Sequence, residues 1–185
     1  MDDRVCSRSC EEAVKGTRRK RKRKRNIVNS AEIDKNKRNK SIVIMGTNAN
    51  GIKSKKESLF SLINLLQPSI ITIQESFMKK PGQIKIPGYQ IFEKVRETKN
   101  GGGLLSAITE DLEPVLVDYT DHESEMLSVQ INVNDLKIRI INAYGPQEKA
   151  DDDPDVYKFW KDLEIEIIRA KDDGCAILIQ MDANS

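Results

Sequence analysis

The sequence contains few of the residues on which secreted domains, zinc sites and histidine-based active sites depend. It has three cysteines, one histidine and one tryptophan in 185 residues. Cys6, Cys10 and Cys175 are too few and too scattered for a disulfide framework or a four-ligand zinc site, so a reducing compartment is expected. The single histidine, His122, lies between two acidic residues and is predicted to be a surface residue.

Long apolar segments are also missing. No run of about 18 apolar residues occurs, so no membrane-spanning helix and no membrane partner are expected. The N-terminus begins with acidic residues and has no apolar segment of the kind that a secretory signal needs. The sequence therefore predicts a protein that is not secreted.

Charge is divided unevenly along the chain, although the net charge of the whole chain is only +2. Residues 1–40 contain 15 of the 31 Lys and Arg residues and 6 of the 29 Asp and Glu residues, which gives +9. Residues 41–185 then hold 16 basic and 23 acidic residues, which gives −7. A cationic arm is therefore attached to an acidic body.

The arm, residues 1–40, is polar and has no apolar periodicity, so it is predicted to be disordered. It contains eight consecutive cations: Arg18, Arg19, Lys20, Arg21, Lys22, Arg23, Lys24 and Arg25. Such a run is typical of a nuclear-import signal or of an arm that binds phosphates, and the alternative is a solubilising tail. We expect a nuclear protein, or a cytoplasmic one if the run is not an import signal.

The body, residues 41–185, begins with a predicted β-α-β unit. Ser41 to Met45 is a strand candidate, and Ser54 with Glu57 three residues later is predicted to form a capping box at the start of a helix. A buried strand from Ile70 follows and runs into Glu75, which favours a parallel pair of strands. The apolar residues of the helix are predicted to be core: Leu59, Phe60, Leu62, Ile63, Leu65 and Leu66.

Further strands and one more helix complete the predicted α/β pattern. The run Gly101 to Gly103 is followed by no helix signal, so a turn into a strand is favoured over a phosphate-binding loop. Pro154 after Asp153 predicts the second helix, Gly174 its end, and its buried face is predicted to be Val156, Phe159, Trp160, Leu163, Ile167 and Ile168. The strand candidates are residues 89–95, 104–108, 115–117, 126–133, 136–144 and 175–181.

Polar residues follow four of the predicted strands, and their chemistry suits a metal-assisted reaction. These residues are Asn48 and Asn50, Glu75, Tyr144 and Gln147, and Asp182 and Asn184. A carboxylate, an amide and water suit a hard ion such as Mg²⁺, and a second carboxylate beside an amide could orient water toward a phosphate. The alternative is a set of unrelated strand ends, because spacing alone does not bring them together.

The same residues form four short motifs in a fixed order. Asn48-Ala49-Asn50-Gly51 follows the first strand and Gln74-Glu75 ends the next; Ala143 to Gln147 and Asp182-Ala183-Asn184 follow later strands. Each motif is weak alone, but the ordered set resembles the endonuclease/exonuclease/phosphatase family. Within that family the chain looks most like the endonuclease domain of non-LTR retrotransposons.

This resemblance implies an α/β fold, a two-sheet α/β sandwich of the DNase I-like type, and Mg²⁺-dependent cleavage of a phosphodiester, with Mn²⁺ as an alternative ion. By carry-over, Glu75 would ligate the metal, with Asn50 at the edge of the site. Asp182 would orient or deprotonate the attacking water, and Asn48 would support this network.

The resemblance also assigns the residues that would contact the substrate. Tyr144 would donate a hydrogen bond to the scissile phosphate and Asn184 would hold a phosphate oxygen. Gln147 stands where Asn is commoner and would contact the nucleic-acid backbone. The expected partner is therefore nucleic acid, DNA in the first place.

Two departures from the family put activity in doubt. Met181 stands where the family has Gly before the Asp, and the family's second half, with its Asp-paired His and closing Ser-Asp-His, is absent. Loss of a general acid–base group typically costs about 10²–10⁴ in rate. We therefore expect residues 41–185 to be a partial domain, truncated to its first half, which a second chain or a downstream segment could complete.

Three functions stay open from the sequence. The first is a retrotransposon-like endonuclease, and the second is an inactive remnant that binds nucleic acid through its arm. The third is a phosphatase of the same fold that acts on phosphoinositides or sphingolipids, against which the cationic run argues mildly, although anionic membranes attract such runs too.

Overall fold

The computed structural model describes residues 41–96, 101–117, 124–147 and 153–184. The predicted arm, with Arg18 to Arg25, and the predicted surface residue His122 lie outside these residues. Within the described ranges the elements in chain order are β1 (Ile44–Asn48), α1 (Ile52–Leu66), β2 (Ile70–Gln74), β3 (Tyr89–Lys94), β4 (Leu104–Thr109), a 3-10 turn (Glu110–Leu112), β5 (Val115–Val117), β6 (Met126–Val133), β7 (Leu136–Tyr144), α2 (Pro154–Asp172) and β8 (Ala176–Asp182).

The strands form two four-stranded sheets, in the orders β1-β2-β4-β3 and β5-β6-β7-β8. The pairs β1/β2 and β7/β8 are parallel, and the remaining pairs are antiparallel. The sheets share one buried cluster, with Ile70, Leu104 and Ile108 from the first and Val129, Ile131 and Ile140 from the second. The predicted two-sheet α/β sandwich is confirmed.

The side chains of β2 show how the sandwich is layered. Ile71 and Ile73 pack in one cluster with Leu59 and Ile63 of α1, whereas Ile70 packs in the cluster between the sheets. This alternation follows from the two-residue period of a strand. Since α1 lies on one face of β2 and the second sheet on the other, all five residues of β2 are buried.

The predicted start of α1 is wrong. The helix begins at Ile52 with Gly51 as N-cap, and Ser54 is not a cap, because its hydroxyl donates to the Gly51 carbonyl at 3.2 Å. The chain after β2 supplies the missing acceptors: the carbonyls of Glu75 and Ser76 accept from the N–H groups of Gly51 and Ile52, at 2.8 and 3.1 Å. This contact is non-local, so the local capping pattern could not predict it.

The predicted core faces of both helices are partly wrong. On α1, Leu59 and Ile63 are buried and Phe60 is partly buried, but three predicted core residues are exposed: Leu62, Leu65 and Leu66. On α2, Phe159 and Leu163 are buried, whereas Trp160 and Ile168 are exposed. Part of the buried face of α2 is polar instead. Asp162 accepts a hydrogen bond from Ser124, and Glu166 accepts one from Arg139 of β7.

The ends of α2 agree with the sequence. Asp153 is the N-cap, and its carboxylate accepts from the N–H of Asp155 at 2.9 Å, with Pro154 in the first turn. Gly174 follows the helix with φ +71°, and its N–H donates to the Lys171 carbonyl at 2.9 Å. A glycine in this position is the usual end of a helix because it adopts a positive φ without a steric cost.

The first strand lies further along the chain than predicted. β1 runs over Ile44–Asn48 rather than residues 41–45, because its pairing with β2 extends from Ile44 opposite Ile70 to Asn48 opposite Gln74. The residues Gly46 to Asn48, which follow the predicted strand, are therefore part of the paired strand. Among the described residues no helix is long and apolar enough to cross a membrane.

Candidate active site

The ends of the two parallel strand pairs place the predicted polar residues at one edge of the sandwich. Asn48 at the end of β1 is opposite Gln74, the last residue of β2, and Tyr144 at the end of β7 is opposite Asp182 of β8. Glu75 follows β2 directly. Parallel strands end at the same edge of their sheet. The first sheet therefore contributes the ends of β1 and β2 to the site, and the second sheet contributes the ends of β7 and β8.

Two side-chain hydrogen bonds join these ends across the sandwich. Asn48 Nδ2 donates to Asp182 Oδ2 at 2.6 Å, and the Tyr144 hydroxyl donates to Glu75 Oε1. In each bond, one partner lies at the end of a strand of the first sheet (Asn48 or Glu75) and the other in a strand of the second sheet (Asp182 or Tyr144). The site is therefore formed by both layers of the fold.

The Asp182 carboxylate is held on both of its oxygens. Asn48 binds Oδ2, and the backbone N–H of Asn184 donates to Oδ1 at 3.1 Å. Asn184 is fixed in turn, since its Nδ2 donates to the Gly145 carbonyl at 2.6 Å, while the Gly145 N–H donates to the Asp182 carbonyl at 2.8 Å. The two segments after β7 and β8 thus hold each other in place.

Tyr144 is kept protonated by its surroundings. Burial raises the pKa of Tyr144 above its ordinary value of 10.0, and the hydrogen bond to Glu75 and the charges of Glu75 and Asp182 raise it further; a hydrogen bond with Asn184 opposes them. The hydroxyl is thus hydrogen-bonded to Glu75 and to Asn184, while Asp182 acts on it through its charge. At neutral pH the hydroxyl is therefore a hydrogen-bond donor.

Three of the predicted site residues have a backbone conformation that is uncommon for residues other than glycine. Asn50, Glu75 and Asn184 have φ values of +43°, +51° and +51°. Such residues cost on the order of 1 kcal/mol and occur often at functional sites. Met181 is not among them: it lies inside β8, so the absence of the family's glycine at this position requires no strained backbone.

Buried amides behind the site join the two sheets. Asn142 of β7 is fully buried; its Oδ1 accepts from Gln74 Nε2 at 2.8 Å, and its Nδ2 donates to the Leu105 carbonyl of β4 at 3.0 Å. Because Gln74 precedes Glu75 and Asn142 lies two residues before Tyr144, these bonds fix the two strand ends that meet at the site. Asn142 is thus a connection between the sheets rather than a solvent-facing strand end.

The predicted peripheral residues lie at the surface of this cluster. Asn50 is exposed, and its N–H donates to Asn48 Oδ1 at 2.9 Å. Gln147 is exposed three residues beyond Tyr144. Asn50 is therefore joined to the cluster through Asn48, and the role of Gln147 stays a prediction.

Sequence reasoning missed an ion pair beside Tyr144. Arg96 binds Glu125, and its guanidinium carbon lies 6.0 Å from the centre of the Tyr144 ring, within the range of a cation–π contact. The Glu125 carboxylate also accepts the N–H of Gly103, and its backbone carbonyl accepts that of Tyr144 at 2.9 Å. Neither residue belongs to a motif, so the fold alone brings them here.

The donor atoms at the site fit a hard divalent cation. Glu75 and Asp182 supply carboxylate oxygens and Asn50 an amide oxygen, which is the ligand type that Mg²⁺ prefers together with water. No group of three or more His, Cys, Asp or Glu residues that could hold a metal occurs among the described residues. A site with one or two carboxylates is nevertheless usual for Mg²⁺, which keeps several waters and binds substrate phosphates.

Comparison with known proteins shows similarity in structure. No family model and no curated protein matches the sequence. The catalytic domain of Xenopus laevis APE2 matches with a TM-score of 0.65 and 18% identity, over 77% of this chain and 58% of that one. The 3′ phosphatase NExo from Neisseria, bound to a product DNA hairpin, matches with a TM-score of 0.55 and 19% identity, over 78% of this chain and 58% of that one.

A third solved structure is TDP2 from D. rerio in complex with a single-strand DNA product, with a TM-score of 0.52 and 16% identity, over 78% of this chain and 61% of that one. At these identities the comparisons show the fold, which is the DNase I-like α/β sandwich. The chain spans 58% of the length of the first two matched structures.

Proposed function

We propose that the chain carries the active site of a Mg²⁺-dependent endonuclease that hydrolyses phosphodiesters in nucleic acid, DNA in the first place. The observation that supports this proposal is the hydrogen-bonded cluster of Asn48, Glu75, Tyr144, Asp182 and Asn184, which both sheets contribute. It contains a metal-binding carboxylate, a second carboxylate held in one orientation, and donors for phosphate oxygens. These are the parts that metal-assisted hydrolysis needs.

Each residue has a role that its contacts support. Glu75, with Asn50 at the edge, would hold Mg²⁺ or Mn²⁺, which would stabilise the charge that develops on the phosphate. Asp182, fixed by Asn48 and the Asn184 N–H, orients the attacking water and takes its proton.

Substrate contacts follow from the donors that face the cluster. The protonated Tyr144 hydroxyl donates to a phosphate oxygen, and the Asn184 amide binds another. Gln147, exposed beside this cluster, contacts the nucleic-acid backbone. Arg96, paired with Glu125, lies next to the Tyr144 ring and supports its position.

More specifically, we propose that the endonuclease is of the type found in non-LTR retrotransposons. Its support is the run from Asn142 to Gln147 together with the glycine turn at Gly101 to Gly103, which resemble that group of endonucleases. In the structure both segments lie at the site, since Gly103 contacts Glu125 and Glu125 contacts Tyr144. Nicking of intact supercoiled plasmid, rather than of DNA with an abasic site alone, is the expected activity.

A supercoiled-plasmid nicking assay with Mg²⁺, and with chelator, tests the proposal. Wild-type chain is expected to nick, and Glu75→Ala and Asp182→Asn are expected to lose activity by about 10²-fold or more, because each removes a group that acts in the transition state. Glu164→Ala, an exposed carboxylate on α2, is the matched control and should be as active as wild type. Nicking that persists in Glu75→Ala or in chelator would contradict the assignment.

The second candidate function is nucleic-acid binding without cleavage. It is favoured by the eight consecutive cations from Arg18 to Arg25, which suit nucleic-acid phosphates whether or not the chain cleaves them. In the described part of the chain the edge strands are β1 and β3 of the first sheet and β5 and β8 of the second, and exposed apolar residues occur at the start of β1 (Val43 and Ile44) and on α1 (Leu62, Leu65 and Leu66). Binding by folded protein with no Mg²⁺-dependent nicking would support this function.

The same edges support a proposal about assembly. β1 and β8 lie on the same side of the sandwich, because Asn48 and Asp182 are hydrogen-bonded, so one further segment could extend both sheets. That segment would be a downstream stretch of the same protein or a second chain. Light scattering after size-exclusion chromatography should show a dimer if a second chain supplies this segment, and a monomer would reject that source.

A further inference from the structure

Phe77 is a partly exposed aromatic residue at the rim of the candidate active site. It follows Glu75 by two residues, is 36% exposed and has φ +52°. Its N–H donates to the Gly102 carbonyl at 2.9 Å, so the backbone that carries the ring is tied to the glycine turn before β4. A large apolar side chain is thus held next to the proposed metal ligand without being buried in the core.

Two glycines make room for this ring. A methyl group at Gly51 would lie 3.1 Å from Cδ2 of Phe77, and one at Gly101 would lie 3.4 Å from Cε1. Both glycines have φ +91°, which other residues rarely adopt. Gly51 directly follows Asn50, so the ring bridges the turn after β1 and the turn before β4 at the edge of the site.

We propose that Phe77 is a stacking platform for one unpaired nucleobase next to the scissile phosphate; this inference rests on the proposed function. Stacking on an aromatic side chain needs an exposed π-surface and tolerates any base sequence, and it requires a base that is single-stranded or turned out of a duplex. The ring offers such a surface two residues after Glu75.

The apolar character of the ring favours a base over a further phosphate at this position. Glu75 and Lys79 each lie two residues from Phe77, so the nearest charges along the chain have opposite signs. The ring itself attracts the uncharged, flat part of a nucleotide. The phosphates are left to the cationic arm, which binds them without regard to the base.

Binding of two single strands of equal length and charge tests the platform: an oligothymidylate, and an oligomer of abasic tetrahydrofuran phosphates. Dissociation constants of the full chain are measured by fluorescence anisotropy in chelator, so that nothing is cleaved. Phe77→Ala is expected to weaken oligothymidylate binding by roughly 5- to 100-fold and to leave binding of the abasic oligomer unchanged. Phe77→Leu should resemble Phe77→Ala, and Phe77→Trp should bind as wild type does.

Tyr157→Ala removes an exposed aromatic ring on α2 and is the matched control, with no expected effect on either oligomer. Far-UV circular dichroism and thermal unfolding show whether each variant is folded. An equal loss for both oligomers, or no loss for oligothymidylate, would overturn the platform.

The platform and the proposed hydrolysis fail in different ways. Base-dependent binding through Phe77 without Mg²⁺-dependent nicking would retain the platform and reject hydrolysis. Nicking abolished by Glu75→Ala, with no base-dependent effect of Phe77→Ala, would retain hydrolysis and reject the platform. Failure of the wild type to bind either oligomer would reject the platform, whereas the plasmid-nicking assay alone decides hydrolysis.

Discussion

At the scale of single residues, Tyr144 shows how the site controls a proton. Its hydroxyl is hydrogen-bonded to Glu75 and Asn184, and burial, the Glu75 hydrogen bond and the charges of Glu75 and Asp182 raise its pKa. The neutral phenol can donate to a phosphate oxygen, whereas a phenolate would repel it. The same environment that orients the hydroxyl therefore keeps its proton in place.

This shift predicts a loss of stability at alkaline pH. Because the pKa of Tyr144 is higher in the folded than in the unfolded chain, its contribution is complete below pH ~10 and is lost as pH rises through the folded value. Urea unfolding at several pH values should show a steeper alkaline loss in wild type than in Tyr144→Phe. The phenolate absorbance of wild type minus that of Tyr144→Phe should show a group that titrates above pH ~10. Stability that falls equally with pH in both proteins would contradict the prediction.

At the scale of elements, the two helices begin by different means. α2 is capped by the side chain of Asp153, but α1 is started by carbonyls of the segment after β2. We expect Asp153→Ala to lower the free energy of unfolding by about 1 kcal/mol and Ser54→Ala to change it by less than ~0.5 kcal/mol. Denaturant unfolding measures the free energy of unfolding of both variants. A loss above ~0.5 kcal/mol for Ser54→Ala would support a capping box at Ser54 and contradict this account.

A buried ion pair attaches α2 to the second sheet. Arg139 of β7 is 1% exposed and binds Glu166 of α2 at 3.1 Å and Asp173 at 2.7 Å. Removing one partner of a buried pair leaves a desolvated charge, so Glu166→Ala is expected to lower the free energy of unfolding by about 3 kcal/mol. Exposed Glu164 on the same helix is the control, and Glu164→Ala should stay within ~0.5 kcal/mol of wild type. A fall of less than ~1 kcal/mol in the free energy of unfolding of Glu166→Ala would show that Asp173 alone is enough to pair Arg139.

At the scale of the whole molecule, the division of charge predicts how binding depends on salt. If the eight cations from Arg18 to Arg25 bind phosphates, the logarithm of the affinity for single-stranded DNA should fall by about 0.7 per phosphate contact for each tenfold rise in salt. Replacing all eight by glutamine should reduce this slope by several units while Mg²⁺-dependent nicking persists. An unchanged slope would favour the solubilising tail.

The sequence determined the parts of this protein that depend on neighbouring residues. The apolar run of β2, Pro154 after Asp153 and the polar residues after four strands are local patterns, and they predicted the elements and the candidate residues. The two-sheet sandwich followed from the resemblance that the ordered motifs carry. Tertiary structure decided what depends on distant contacts: the start of α1, the polar face of α2, and the placement of Arg96, Glu125 and Phe77 beside Tyr144 and Glu75. These contacts join residues far apart in the chain through desolvation and hydrogen bonding, which local propensity does not encode.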